Sequence, residues 1–379
     1  MGDRHCPVAL FTGATAGIGE AILKAYAKQH RDARIYFVGR KEESARKIIE
    51  DVRAMWTDGQ ERVEDEGEIT FVKADLTLLR NVQSVVEEVK RREGGEGRLD
   101  LLCMSQGYLT LKGRQETSEH HDAPLVLTFH SRAYLTYSLL PLLRSSNSPN
   151  GARVISILAP GDEGPLYLED LDLKERHPTL IDWIFPGWLR RLTGLDPGYM
   201  MLRISHSVIM TTLFFEELAR RERERIQEVH PTTEAAPDVL GHSGGKAGVS
   251  FLHVYPGLVK TNEFENGDFP VALKFFFTRI LLPLITPMAV PVEKVGEGVT
   301  SMVEDKRFSL SRSIEGEQAE VAELGSDGVR GSGSYCLSWD GRRKVKENVL
   351  EALRKKGASE LLWEHFEEGL GFLDTTTGE

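Results

Sequence analysis

Cysteine is scarce: Cys6, Cys103 and Cys336 are the only three in 379 residues. Far apart and odd in number, they argue against a disulfide framework and fit a reducing compartment, so a cytoplasmic protein is expected. Basic charge is also short. Lys and Arg number 47 against 58 Asp and Glu, a net charge of −11, which argues against nucleic acid as a partner. No uncharged apolar run reaches the length of about 18 residues that a membrane span requires. An apolar strand begins by Val8, which leaves no room for a secretory signal ahead of it. No set of metal ligands stands out either. The length suits one large or two small domains. Strand–helix alternation past residue 250 favours one domain over about 1–305, with 306–379 as a C-terminal extension.

Against these absences stands one organising stretch, Val8-Ala9-Leu10-Phe11-Thr12-Gly13-Ala14-Thr15-Ala16-Gly17-Ile18-Gly19. Four apolar residues in a row predict a buried strand, and Glu20 to His30 has the pattern of a helix, with Ala21, Ile22, Ala25 and Tyr26 on one face. Glycine is needed between them on backbone grounds: Gly13 for a tight turn, Gly17 for the approach of a pyrophosphate, Gly19 for packing helix on strand. Phosphates would then meet the free N–H groups and positive dipole end of the helix. The spacing T-G-x-x-x-G-x-G resembles the cofactor loop of short-chain dehydrogenases/reductases. That resemblance implies an α/β fold, a doubly wound parallel sheet of Rossmann type, with Gly13, Thr15, Gly17, Ile18 and Gly19 around a nicotinamide dinucleotide.

The second strand, Arg34 to Val38, ends in Gly39-Arg40-Lys41. An acid at this place bonds the ribose of NAD, whereas a basic residue accepts the 2′-phosphate of NADP. Arg40 has the planar fork that bonds two phosphate oxygens at once, so NADP is the expected cofactor. The third strand, Ile69 to Ala74, closes on Asp75. The resemblance implies that Asp75 contacts the adenine; capping a helix from about Leu78 to Arg92 is the other reading. Leu99, Asp100, Leu102 and Gly107 match the family's L-D-x-L-x-N-N-A-G, but Met104, Ser105 and Gln106 replace its N-N-A. Ser105 keeps a hydroxyl, so Ser105 and Gly107 are assigned to cofactor support.

The catalytic positions depart further. Leu125 to Arg144 reads as a helix similar to the family's fourth, and counting back from Pro141 puts Thr128 where the family carries a catalytic-site asparagine. His130 and Arg132 flank it, and a lone His on a helix is more often structural. The strand Arg153 to Leu158 ends in Leu158-Ala159 where the family has a serine, and neither residue donates a hydrogen bond. Ser156 alternates to the opposite face from Ala159. A long insert, about 160–198, follows, with the aromatic run Trp183 to Trp188; it reads either as a lid or as packing on the core. The family's Y-x-x-x-K falls on Tyr199-Met200-Met201-Leu202-Arg203, so the resemblance makes Tyr199 the proton donor and gives Arg203 the tasks of lowering its pKa and holding the ribose. A second register puts Ile204 and Val208 in those seats and leaves His206 as the only acid/base. Beyond a Gly/Pro/Ser-rich connector, Pro256-Gly257-Leu258-Val259-Lys260-Thr261 resembles the family's P-G-x-V-x-T turn, in which Val259 and Thr261 would hold the nicotinamide carboxamide. An apolar segment, about 262–290, suggests a second lid or a peripheral membrane contact.

The details look most like fungal members found beside secondary-metabolite pathways. They imply an NADP-dependent oxidoreductase, a carbonyl reductase or alcohol dehydrogenase, acting on a bulky apolar (lipophilic) small molecule and pairing as a homo-oligomer. The alternative keeps the cofactor site without hydride transfer, as a cyclase, an isomerase or a cofactor-responsive binding protein. A scaffold that binds no nucleotide is a third reading.

Overall fold

A computed structural model of the chain describes residues 6–57, 67–229, 248–259, 289–310 and 321–376, with Phe275 and Arg279 besides. In chain order the first half runs β1 (Val8–Thr12), α1 (Gly17–Gln29), β2 (Arg34–Gly39), α2 (Glu42–Thr57), β3 (Glu68–Lys73), α3 (Leu79–Glu93) and β4 (Leu101–Met104). A short helical turn at Ala123–Leu125 and a π-helical stretch at Val126–His130 then lead into α4 (Ser131–Arg144). After β5 (Ala152–Ile157) the insert carries a 3-10 turn, Leu180–Trp183, and α5 (Gly187–Thr193). The rest is α6 (Pro197–Val229), β6 (Val249–Tyr255), α7 (Val292–Ser301), β7 (Ser334–Ser338), α8 (Glu347–Arg354) and α9 (Ala358–Thr376).

The strands form one sheet in the order β3-β2-β1-β4-β5-β6-β7, every neighbouring pair parallel. Central strands of such a sheet are covered on both faces, and so they read as continuous apolar runs. Side chains alternate accordingly. Leu10, Leu102, Val154 and Phe251 face a core shared with α3, α4, α6, α8 and α9. Ala9, Phe11, Cys103, Ile155 and Leu252 face a second core with α1, α2 and α7. β7 belongs to the C-terminal extension, so the sheet continues past residue 305. Helix α9 covers the first face: Trp363 stacks on Phe214 at 5.8 Å, and the Arg221 guanidinium lies 3.6 Å from the centre of the Trp363 ring. No helix among the described residues is long and apolar enough to cross a membrane.

The insert divides in two. Leu171 and Leu173 are buried, whereas Leu180, Trp183, Ile184, Trp188 and Leu192 are exposed, Trp183 to 90 %. Its aromatic part therefore does not pack on the core. A buried cation holds the sheet's centre together. Arg132 donates through Nε to Leu127 O (3.1 Å), through Nη1 to Ser156 Oγ (2.7 Å) and Ile157 O (2.8 Å), and through Nη2 to Gln106 O (2.5 Å). It is 2 % exposed, and burial pushes its pKa down to about 9. Four acceptors from β5, the loop after its neighbour β4 and the π-helical stretch thus share one guanidinium.

Two buried imidazoles make this fold acid-sensitive. His253 shares a 2.8 Å hydrogen bond with Thr212 Oγ1, and His206 Nε2 accepts from Tyr167 N at 3.1 Å. Burial pushes His253 down to about 3 and His206 down to about 4. The unfolded chain takes up these protons near pH 6.5 and the folded chain does not. Stability is therefore fully present above about pH 6.5 and falls toward pH 4, by roughly 1.4 kcal/mol per pH unit for each imidazole. Urea midpoints should drop between pH 7.5 and pH 5, less steeply in His253→Gln; equal slopes would contradict this assignment.

Candidate functional site

Because the strands are parallel, their carboxyl ends share one edge, and the order reverses between β1 and β4. Ligands of open α/β sheets bind at such a switch point. The loop after β1 lies there. Gly13 has φ +70° and Gly17 φ +62°, a region that strains residues bearing a Cβ. A Cβ on Gly13 would collide with the Gln106 main chain, and one on Gly19 with Ser105 Oγ and Gly13 O. The loop is pressed onto the end of β4. Ser105 Oγ donates to Thr12 O (3.1 Å) and Gly13 O (3.2 Å), Thr12 Oγ1 donates to Gln106 Oε1 (2.5 Å), and Gln106 Nε2 reaches Ser131 Oγ (3.2 Å). The rewritten Ser105-Gln106 end of β4 is thus a brace for the glycine loop.

Helix α1 starts at Gly17 without a side-chain cap. Its first N–H groups and the positive dipole end fit an anionic diphosphate. Thr15 packs its methyl against Gly39, where a Cβ would collide with it. Arg40 follows β2, is exposed, and has no ion-pair partner among the described residues. The free N–H groups at Gly17, Ile18 and Gly19 suit the diphosphate of a nicotinamide dinucleotide. Asp75 Oδ1 accepts from Thr77 N (3.1 Å) and Thr77 Oγ1 (2.9 Å), a local turn. It does not cap α3. Glu119 does, accepting from Leu79 N at 2.6 Å and Arg80 N at 3.3 Å, a contact spanning 40 residues that no local pattern announces.

The positions that the resemblance assigns to catalysis are arranged differently from the family pattern. Thr128 Oγ1 lies 2.6 Å from Ser207 Oγ, with the carbonyls of Pro124 (2.8 Å) and Arg203 (2.9 Å) as their other partners. A Cβ on Gly107 would come within 3.7 Å of the Thr128 methyl, so this hydroxyl pair adjoins the loop after β4. Thr128 sits inside the π-helical stretch, a distortion frequent at functional sites. Arg203 is 3 % exposed; Nη2 donates to Thr110 O (3.3 Å) and Nη1 is 3.8 Å from Asp122 Oδ2.

Tyr199 turns into the insert. It is 2 % exposed, packs with Leu173 and Leu202, and its hydroxyl donates to Leu173 O at 3.4 Å. Burial, then the Asp122 charge, raises its pKa; Arg114 and Arg203 pull the other way and are outweighed. The expected lowering by Arg203 is therefore reversed, because desolvation of the phenolate exceeds the attraction of a guanidinium 5.8 Å from the ring centre. The second register offers no acid/base: Ile204 is half-buried, Val208 is buried, and His206 is buried in its neutral form by its bond from Tyr167.

Ser156 Oγ is occupied by Arg132, away from the position of Ala159. Lys344, from the C-terminal extension, reaches that end of β5: Nζ donates to Pro160 O at 2.8 Å and lies 3.7 Å from the Tyr255 ring centre. Sequence reasoning missed it, since 184 residues separate the partners and no spacing links them. Val259 forms a parallel bridge with Val290 beside the turn at Gly257. Thr261 and nearly all of the 262–290 segment lie outside the described residues.

Comparison with known proteins agrees with this architecture. The short chain dehydrogenase family model matches residues 7–159. Oxidoreductase AN1596 of Emericella nidulans is 30% identical over 363 residues, covering 95% of this chain and 91% of its own. Oxidoreductase andH of Emericella variicolor is 30% identical over 99% of this chain and 94% of its own length. Short-chain dehydrogenase/reductase SAT2 of Stachybotrys chartarum is 26% identical, covering 94% of this chain and 90% of its own. Among solved structures, YwfH, an NADPH dependent reductase involved in bacilysin biosynthesis, superposes with TM-score 0.52 at 12% identity, over 90% of this chain and all of its own. With the glycine loop, the sheet order and full-length relatives in agreement, the chain belongs to the short-chain dehydrogenase/reductase family.

Proposed function

We propose that this protein is an NADP(H)-dependent oxidoreductase, a carbonyl reductase or alcohol dehydrogenase for a bulky apolar substrate. One observation carries the cofactor choice: Arg40 stands exposed at the end of β2, with no ion-pair partner among the described residues, near the uncapped start of α1. Fungal relatives similar over nearly the whole chain are oxidoreductases, which supports the reaction class. The exposed Trp183, Ile184 and Trp188 of the insert support an apolar substrate, as a covering element would. The role in secondary metabolism and the homo-oligomeric state rest on the resemblance alone.

In this reading the bound cofactor supplies hydride. Tyr199 supplies the proton: its phenol stays protonated at neutral pH, as carbonyl reduction requires of a donor, and its bond to Leu173 O is long. Arg203 and the Thr128–Ser207 pair hold the ribose and the substrate oxygen in place of the missing lysine, asparagine and serine. A second reading, cofactor binding with non-redox chemistry, is favoured by the burial of Tyr199 against Leu173 of the insert and Leu202 of its own helix.

Arg40→Asp should weaken NADPH binding by about 10–100-fold and leave NADH nearly unchanged, as loss of a charge-assisted bond implies; fluorescence titration reads both, and equal losses would remove Arg40 from the phosphate site. A panel of lipophilic ketones followed by nicotinamide absorbance tests the reaction. Turnover is expected, with kcat reduced about 100-fold or more in Tyr199→Phe at unchanged NADPH affinity. Tight NADPH binding without turnover on any ketone supports the second reading instead, and unaltered kcat in Tyr199→Phe excludes it as the donor.

A further inference from the structure

Four side chains from distant parts of the chain converge beside the π-helical stretch. Asp172, in the buried part of the insert, places Oδ1 3.2 Å from His130 Nε2 and 3.1 Å from His365 Nε2. His130 closes the π-helical stretch and His365 lies on α9. His121, from the connection between β4 and α4, has its ring centre 5.6 Å from that of His130. One donor atom each from His121, His130 and Asp172 lies within 4.8 Å of the others. His121 Nδ1 is buried with no hydrogen-bond partner. Lys174 Nζ, 3.5 Å from Asp172 Oδ2, lies on the carboxylate's other oxygen.

We propose that His121, His130 and Asp172 form a site for one divalent transition-metal ion of the Zn2+ class, with His365 hydrogen-bonded to Asp172 behind it, so that the ion fixes the insert and, through His365, α9 to the helix that carries Thr128. Two imidazoles and one carboxylate are a donor set for zinc and its neighbours, and too rich in nitrogen for calcium or magnesium. Tetrahedral bonds of about 2.0–2.1 Å put neighbouring ligand atoms about 3.3 Å apart. The His130–Asp172 separation is already within about 0.2 Å of that value. Hydrogen bonding alone explains the contacts of Asp172 with His130 and His365 but leaves His121 Nδ1 without a hydrogen-bond partner among the described residues; a ligand role gives this imidazole a partner. The spacing 121, 130, 172 and 365 matches no local motif, because the fold and not the sequence brings the four together.

The test uses the full chain, free of affinity tag and stripped by chelator, titrated with Co2+ under visible absorption and with Zn2+ by calorimetry. The expected result is one equivalent of each, with the Co2+ bands displaced by Zn2+. His130→Ala should abolish uptake, and His365→Ala should weaken it by about tenfold or more. His177→Ala, which alters a separate pair with Asp170, should bind as the unaltered chain does. His130 is largely buried, so His365→Ala on the outer helix carries the test if His130→Ala does not fold. Absence of saturable one-to-one uptake, or uptake unaffected by His365→Ala, overturns the proposal.

Discussion

The structure depends on the contact between the glycine loop and the end of β4. Gly13 and Gly19 let two main-chain segments meet where a single added carbon would collide, and Ser105 and Gln106 fix the contact by hydrogen bonds. This contact sets where α1 begins, and hence where its uncapped N–H groups point. Arg40 and Asp75 follow the neighbouring strands onto the same edge, because all strands are parallel. A charged diphosphate at the head of α1 would be held by fixed main-chain dipoles, without reorganisation of long side chains.

The other half of the site is governed by burial. Arg132, Arg203 and Tyr199 are each enclosed, and each has its pKa moved by desolvation first. The cations are held by carbonyls, hydroxyls and a carboxylate that the fold brings from separate elements. Tyr199 bonds a carbonyl of the insert. The insert thus shapes the catalytic half as strongly as the sheet does, and the C-terminal extension adds β7, Lys344 and α9 to the same architecture.

What was legible in the sequence follows the range of the interactions. The glycine loop, the strands and the Pro256–Val259 turn are local backbone demands, and they leave a residue signature within a few positions. The doubly wound sheet followed from them. The bonds of Arg132 to β5 and Gln106, the capping of α3 by Glu119 and the reach of Lys344 span 24 to 184 residues and leave none. Tyr199 and Arg203 were correctly read as sharing a helical face. Which surroundings that face meets depends on the packing of residues 166–173, which is not a local property. The net pKa of Tyr199 therefore came out opposite to the expectation: a spacing rule counts a charge and does not count desolvation.

Hydrogen exchange of the full chain, with and without NADP+, tests the central contact most directly. Protection concentrated in the peptide from Gly13 to Leu23, at the start of α1, is the expected result. NADP+ binding that leaves this peptide unprotected, or no binding at all, would contradict it.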